Sequence, residues 1–332
     1  MREKLDTPSG RPYVLLAAIV VIFCLVDWGH DRFVNRATLF SVLQQFATIG
    51  PVALGLGLTM IAREFDLSVG SMMSLAGCVA VMLGVEHPLL GIAAAVLVGA
   101  VSGVTQGTVM VALRLSSVGV TLGGLLTVGG IAYVLTQNTT IGYSRMDIAM
   151  LVNEPVLGIF SLRNGVAIVL YLMAAFFFFA TRIGRDVTAV GSDPRAAMVA
   201  GVDVGRMIVG IFALSGVLAA LAGALLSYSL AAASPVALVD ALVPATAAAI
   251  IGGVSLAGGR GTPVGIAGGV LVLCVLRSGL TAIGVPPYVH DIVTGGVLLA
   301  VALLDAPELQ RRLFALRRVS DLHGPVRVVR EP

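Results

Sequence analysis

The chain has 332 residues, 58% of them hydrophobic and 12% charged, with a mean hydropathy of +1.00. A soluble domain covers its surface with roughly 25% charged residues, so this composition excludes an ordinary water-soluble protein and places most of the length in a bilayer. The net charge of +3 is no nucleic-acid signal, because the basic residues sit at the ends of apolar runs.

A short N-terminal tail, residues 1–11, precedes ten apolar runs near 12–28, 40–62, 67–85, 89–113, 117–135, 165–181, 207–231, 240–258, 263–280 and 289–304. Each approaches the about 20 residues that cross a bilayer as a helix. The expected fold is therefore an all-α integral membrane protein of about ten transmembrane helices, with a membrane domain over 12–305 and a basic tail over 306–332. The 40 glycines suit helices that pack closely in lipid. Asp27-Trp28-Gly29-His30 follows the first run where a cleavage site needs small residues, so no cleavable signal peptide is expected. Cys24, Cys78 and Cys274 lie inside apolar runs, the pattern of packed thiols and not of a disulfide framework or metal site.

Between the second and third runs stands Ala62-Arg63-Glu64-Phe65-Asp66-Leu67-Ser68-Val69-Gly70-Ser71. Asp66 is placed to cap the following helix, whose positive end would face its carboxyl group. Charges at the membrane edge are also functional candidates, so Asp66, Ser68 and Gly70 belong either to a structural turn or to a translocation path. Further on, Thr136–Asn164 is polar; it caps a mouth of the bundle, docks a soluble partner, or merely connects.

The second polar break, Thr181–Val204, carries Arg182, Arg185 and Arg195. Within it Asp193 or Ser192 can cap a short helix whose first turn accepts Pro194. Arg195-Ala196-Ala197-Met198-Val199-Ala200 continues that helix and Gly201 ends it. The result is a helix of about seven residues with an Ala/Met face, suited to a groove on a partner. The loop 182–206 is thus a candidate coupling element, with Arg185, Gly191, Asp193, Pro194, Arg195, Ala196, Ala197 and Gly201 as its site residues.

Gly252, Gly253, Gly258 and Gly259 crowd the segment from Ile251 to Gly265. Such density breaks a helix and allows close backbone approach, as a tight turn or as part of a transport route. Without lysine or GxGxxG spacing it makes a poor phosphate cradle.

With the N-terminus inside, ten runs return the C-terminus inside. Only Arg32, Arg36, Arg145 and Arg163 then fall outside and Arg277 within a run, every other Lys and Arg being internal. That bias sets the orientation and makes the 182–206 loop cytoplasmic and the 136–164 loop external. Arg311, Arg312, Arg317 and Arg318 in the tail suit anionic headgroups.

Lys4 is the only lysine, so no GxxxxGK[ST] phosphate loop exists and any ATP hydrolysis belongs to another subunit. No GxSxG elbow, HExxH pair or Asp-Asp pair occurs, and His30, His87, His290 and His323 lie apart in loops or the tail. The chain is not expected to be an enzyme or to bind a metal or cofactor itself.

Several segments together resemble the permease subunits of the ribose/xylose/autoinducer-2 branch of ABC importers, over roughly residues 40–305. Phe65-Asp66-Leu67-Ser68-Val69-Gly70-Ser71 is similar to that family's Ile-Asp-Leu-Ser-Val-Gly-Ser, and Gly119-Val120-Thr121-Leu122-Gly123 to its Thr-Leu-Gly after a helix break. Thr181-Arg182-Ile183-Gly184-Arg185, Ala189-Val190-Gly191-Ser192, Ala196-Ala197 and Ala200-Gly201-Val202 follow its order and spacing, as does Ala248 through Gly261. The departures are Arg63 and Glu64 where the family has two glycines, Gln106 at a frequent asparagine, and a poor match around Asp240.

The resemblance implies a sugar-importing permease of the bacterial inner membrane. It would pair with a second permease as a homo- or heterodimer, with cytoplasmic ATPase subunits that use the ATP and Mg and engage the 191–204 helix, and with a periplasmic or lipid-anchored sugar-binding protein. The rival expectation is an ion-gradient-driven secondary transporter of a small polar solute, for which Asp66, Asp240, Arg277 and Asp291 are the available charges.

Overall fold

The computed structural model describes residues 10–28, 31–236 and 239–305; most of the N-terminal tail and the whole of the expected basic tail lie outside the described residues. A helix forms along each of the ten apolar runs, and three more, α6, α8 and α9, form in the polar segments between them: α1 (Arg11–Val26), α2 (Arg36–Ile61), α3 (Val69–Leu83), α4 (Pro88–Leu113), α5 (Ser117–Thr136), α6 (Met146–Asn153), α7 (Leu162–Ala180), α8 (Arg182–Ser192), α9 (Pro194–Val199), α10 (Val204–Ser229), α11 (Leu242–Ile251), α12 (Pro263–Ala282) and α13 (Pro287–Asp305). Six of them, α2, α4, α5, α7, α10 and α12, are long and apolar enough to cross a membrane. α1, α3, α11 and the stretch Pro287–Val301 of α13 are apolar but shorter. The expected run at 240–258 is a helix of only 10 residues, because Gly252 and Gly253 stop it. Gly253 turns left-handed at φ 85°, and the Val254 amide returns to the Ala249 carbonyl at 3.0 Å, a closed helix end of the kind glycine favours.

Residues 10–286 fold as one compact unit, and Pro287–Asp305 forms a helix of a second unit. Within the first unit α2, α10 and α12 are interior: 61%, 61% and 67% of their most apolar windows are buried, against 22%, 17% and 22% for α4, α5 and α7. Every residue of α2 from Ile49 to Ile61 is buried. The outer helices turn Leu, Val, Ile and Phe outward, as lipid-facing surfaces do.

Helices in lipid gain little from hydrophobic burial and pack through small residues. The α4–α10 contact shows how. Gly91, Ala95, Gly99, Gly103 and Gly107 form the buried stripe of α4, four residues apart and therefore on one face. A Cβ on Gly99 would strike the backbone of Gly216, a Cβ on Gly216 would strike that of Gly99, and one on Gly103 would strike that of Phe212. The two backbones touch, and no side chain larger than hydrogen fits.

The external-loop segment expected at 136–164 is not a plain connector. Ile141–Gly142 pairs antiparallel with Ala232–Ala233, α6 follows, and Val156 and Phe160 form an isolated antiparallel bridge beyond it. Tyr143 stacks on Tyr228 with ring centroids 4.6 Å apart and donates to the Gly84 carbonyl at 2.9 Å. This α6 end of the unit is thereby tied to α3 and α10.

Candidate functional site

At the opposite end, the segment read as one polar break with one short helix holds two. Thr181 opens α8, its hydroxyl accepting from the Ile183 amide at 3.2 Å. Gly184, Val187, Val190 and Gly191 are the buried face of α8, the three-to-four-residue spacing of an amphipathic helix. Asp193 then caps α9: its Oδ1 accepts from the amides of Arg195 at 2.9 Å and Ala196 at 3.1 Å, with Pro194 in the first turn. Gly201 closes it at φ 88°. The cap is Asp193, not Ser192, whose hydroxyl donates back to the Thr188 carbonyl.

The short helix points in a definite direction. Arg195, Ala196, Met198, Val199 and Ala200 are exposed, Val199 at 91%, whereas Ala197 is 3% exposed. Ala197 therefore anchors the knob from beneath and does not belong to its outer face, a consequence of the helical period.

Three segments far apart in sequence meet below this knob. The Gly259 amide donates to the Ile61 carbonyl, the last of α2, at 2.8 Å. A Cβ on Gly191 would collide with that same carbonyl and with the Gly259 amide. Gly258 and Gly259 hold φ 82° and 71°, and added Cβ atoms there would meet Arg63 and Ser192. The glycine-rich segment is thus a turn, and its partner is α8. Arg63 is itself left-handed at φ 68°, a conformation that suits glycine far better than a side chain.

A buried polar cluster lies beyond the turn. Asp66 precedes the helix start by more than a cap does: Ser68 occupies the N-cap position and α3 begins at Val69. The Asp66 Oδ1 accepts from the Ser68 amide at 3.0 Å and hydroxyl at 2.7 Å, an Asp-turn that bends the chain before it enters the helix. Its Oδ2 accepts from Ser215 of α10 at 2.8 Å, and Gln106 of α4 donates to the Ser68 and Ser102 hydroxyls, both at 3.1 Å. The cluster joins α3, α4 and α10. Gly70 is buried as the second residue of α3, and Gly252 packs on the Gly265 backbone. Asp240 is exposed in a single 3-10 turn, Val239–Ala241.

Sequence reasoning overlooked a second polar group near the α6 end. Arg163, expected in a loop, is the second residue of α7 and only 5% exposed. It donates to Thr48 at 2.6 Å and Ser229 at 2.8 Å, and Ser229 donates to Asn153. The signal was a stripe on α2: Ser41, Gln44, Gln45 and Thr48 fall at helical spacing inside an apolar run. At the start of α6, Arg145 holds the Asp147 carboxyl below its usual range through a bond of 2.7 Å.

Residues 38–302 match the family described as branched-chain amino acid transport system / permease component. The chain is 31% identical over 319 residues to the ribose import permease protein RbsC of Escherichia coli K12, covering 90% of this chain and 98% of that one. It is 31% identical over 366 residues to the xylose transport system permease protein XylH of Haemophilus influenzae, covering 91% and 98%. The fructose import permease protein FrcC of Rhizobium meliloti is 31% identical over 314 residues, covering 90% and 86%. No solved structure matches.

Proposed function

The chain belongs to the family of transport-system permease components, and from that premise we propose that it is the membrane subunit of an ATP-binding cassette importer for a monosaccharide. In this reading about ten spans cross the bacterial inner membrane, the α8–α9 end faces the cytoplasm, and both chain termini lie there. A cytoplasmic ATPase subunit binds and hydrolyses the ATP, using Mg; a periplasmic or lipid-anchored binding protein delivers the sugar to the α6 end; a second permease completes the central path.

The observation that carries this reading is the junction of Gly191, Gly259 and Ile61. A partner that seats the exposed Arg195–Met198–Val199 face of α9 pushes on a helix pair whose base is in backbone contact with the end of α2. Packed backbones move as rigid bodies and shift between discrete arrangements, so displacement of the knob reaches the buried centre of the unit. An uncharged sugar needs hydrogen-bonding groups along its way and no fixed charge, and its identity would reside mainly in the binding protein.

The test is capture of the ATPase subunit by the tagged, full-length chain. Arg195→Glu combined with Val199→Asp, both on exposed positions, is expected to leave membrane insertion intact and to lose capture. Undiminished capture by this double variant would refute the docking role.

A further inference from the structure

A groove of about 600 Å³ opens between α8, the link of residues 200–203 and α10, and no residue of α9 lines it. Its mouth carries two cations and two acids, Arg182 and Asp186 from α8 and Asp203 and Arg206 at the start of α10. Its floor is apolar and climbs α10 through Met207, Ile211 and Leu214, one face of the helix by spacing. Leu214 lies ten residues beyond the helix start, about 15 Å along the axis, and is 42% exposed. With α10 spanning the membrane as proposed above, that depth falls inside the bilayer.

The charges at the mouth balance, which argues against a purely anionic ligand. Arg206 pairs with Asp203 at 3.1 Å yet is 89% exposed, so much of its guanidinium stays free to donate. Arg182 and Asp186 form no ion pair among the described residues. Such a mouth offers donors for a phosphate and acceptors for an ammonium group side by side, above a slot for an acyl chain. Gly210 opens the slot: nothing lies within 4 Å of where its Cβ would be.

We infer that this groove binds a zwitterionic phospholipid with a primary ammonium headgroup, phosphatidylethanolamine, from the leaflet facing the α8–α9 end. The phosphate sits between Arg182 and Arg206, the ammonium at Asp186, and one acyl chain along Met207, Ile211 and Leu214. The lipid would brace α8 against α10 at the base of the knob. The inference rests on the membrane reading above, and on the α8–α9 end lying at a membrane surface.

The experiment is a lipid titration of the purified full-length chain, read by native mass spectrometry. It compares phosphatidylethanolamine, phosphatidylcholine and phosphatidylglycerol with identical acyl chains. A quaternary ammonium cannot donate to Asp186, so ethanolamine lipid is expected to bind about ten-fold tighter than choline lipid, the worth of one charge-assisted hydrogen bond. Gly210→Leu, which fills open space without disturbing the helix, is expected to abolish the bound lipid with an unchanged melting temperature. Asp186→Asn is expected to erase the preference while keeping the lipid. Equal binding of ethanolamine and choline lipids, tighter binding of the glycerol lipid, or lipid retention by Gly210→Leu would overturn the site. So would full competition by soluble glycerophosphoethanolamine, which carries the headgroup without chains, or loss of ATPase capture in Gly210→Leu with lipid still bound, which would make the groove a protein interface. If the wild-type chain captures no ATPase but keeps the lipid preference, the importer reading fails and the lipid site stands.

Discussion

The amide of Gly259 donates to the carbonyl of Ile61 across 2.8 Å, so the turn between α11 and α12 is bonded directly to the end of α2, one of the interior helices. Gly191 fills the remaining space against both. The end of α2, α8 and the turn at Gly259, which share no sequence proximity, are thereby one mechanical part.

Gly191→Ala tests that junction. The added methyl group has no room, and the Ile61 carbonyl and Gly259 amide that surround it are backbone, so α8 must lift away. The variant is expected to insert and to capture the ATPase, but to lose at least about ten-fold in ATP-driven uptake, since overpacking costs typically 1–3 kcal/mol. Uptake measured in proteoliposomes against capture in detergent separates the two steps; unchanged uptake would mean that the junction transmits nothing.

Asp193→Ala removes the only side-chain cap of α9, worth about 1 kcal/mol, from a helix of 6 residues that cannot persist without tertiary support. ATPase capture is expected to weaken several-fold, and Asp193→Asn, which keeps an accepting oxygen, to restore it. If both substitutions weaken capture equally, the carboxylate contacts the partner itself and the cap is incidental.

How far this was legible beforehand follows from distance along the chain. The caps of α9 were readable because Asp193, Pro194 and Gly201 act on their immediate neighbours. α8 was not: Val187 and Val190 are its few apolar anchors in a polar stretch, and spacing alone would have had to reveal them. The role of Gly191 depends on Ile61 and Gly259, and the bonds of Arg163 to Thr48 and Ser229 span 115 and 66 residues, so no local pattern reports those pairings, although the polar stripe on α2 marks one side of the second. The run at 240–258 looked like a span because apolarity persists through Gly252 and Gly253, whereas backbone conformation ends the helix there.

Packing of the helices has its own test at Gly99. Its neighbours across the contact are the backbone of Gly216 and the Ala220 methyl group. Gly99→Ala is expected to cost about 1–3 kcal/mol, and Gly99→Ile to prevent accumulation of folded protein. Thermal unfolding in detergent reads the first, and the monodisperse fraction after extraction reads the second. A neutral Gly99→Ala would show that α4 and α10 do not touch.

Asp66 distinguishes scaffold from ion path. Asp66→Ala strips the acceptor from the Ser68 amide and the Ser68 and Ser215 hydroxyls together, an expected loss of about 3 kcal/mol, against about 1 kcal/mol for Ser215→Ala. Asp66→Asn keeps an accepting oxygen and is expected to leave ATP-driven uptake within about two-fold, because well under 1 kcal/mol separates such rates. Abolished uptake in a stable Asp66→Asn protein would instead mark Asp66 as a carrier of protons or cations.

The most direct measurement is uptake of a labelled monosaccharide into proteoliposomes holding the full-length chain, an ABC ATPase subunit and the binding protein. Ribose, xylose and fructose, the sugars in the names of the relatives, are the first to try. The account predicts uptake that requires ATP and the ATPase subunit and that survives an uncoupler. Uptake that persists without the ATPase and collapses when the ion gradient is dissipated would contradict it.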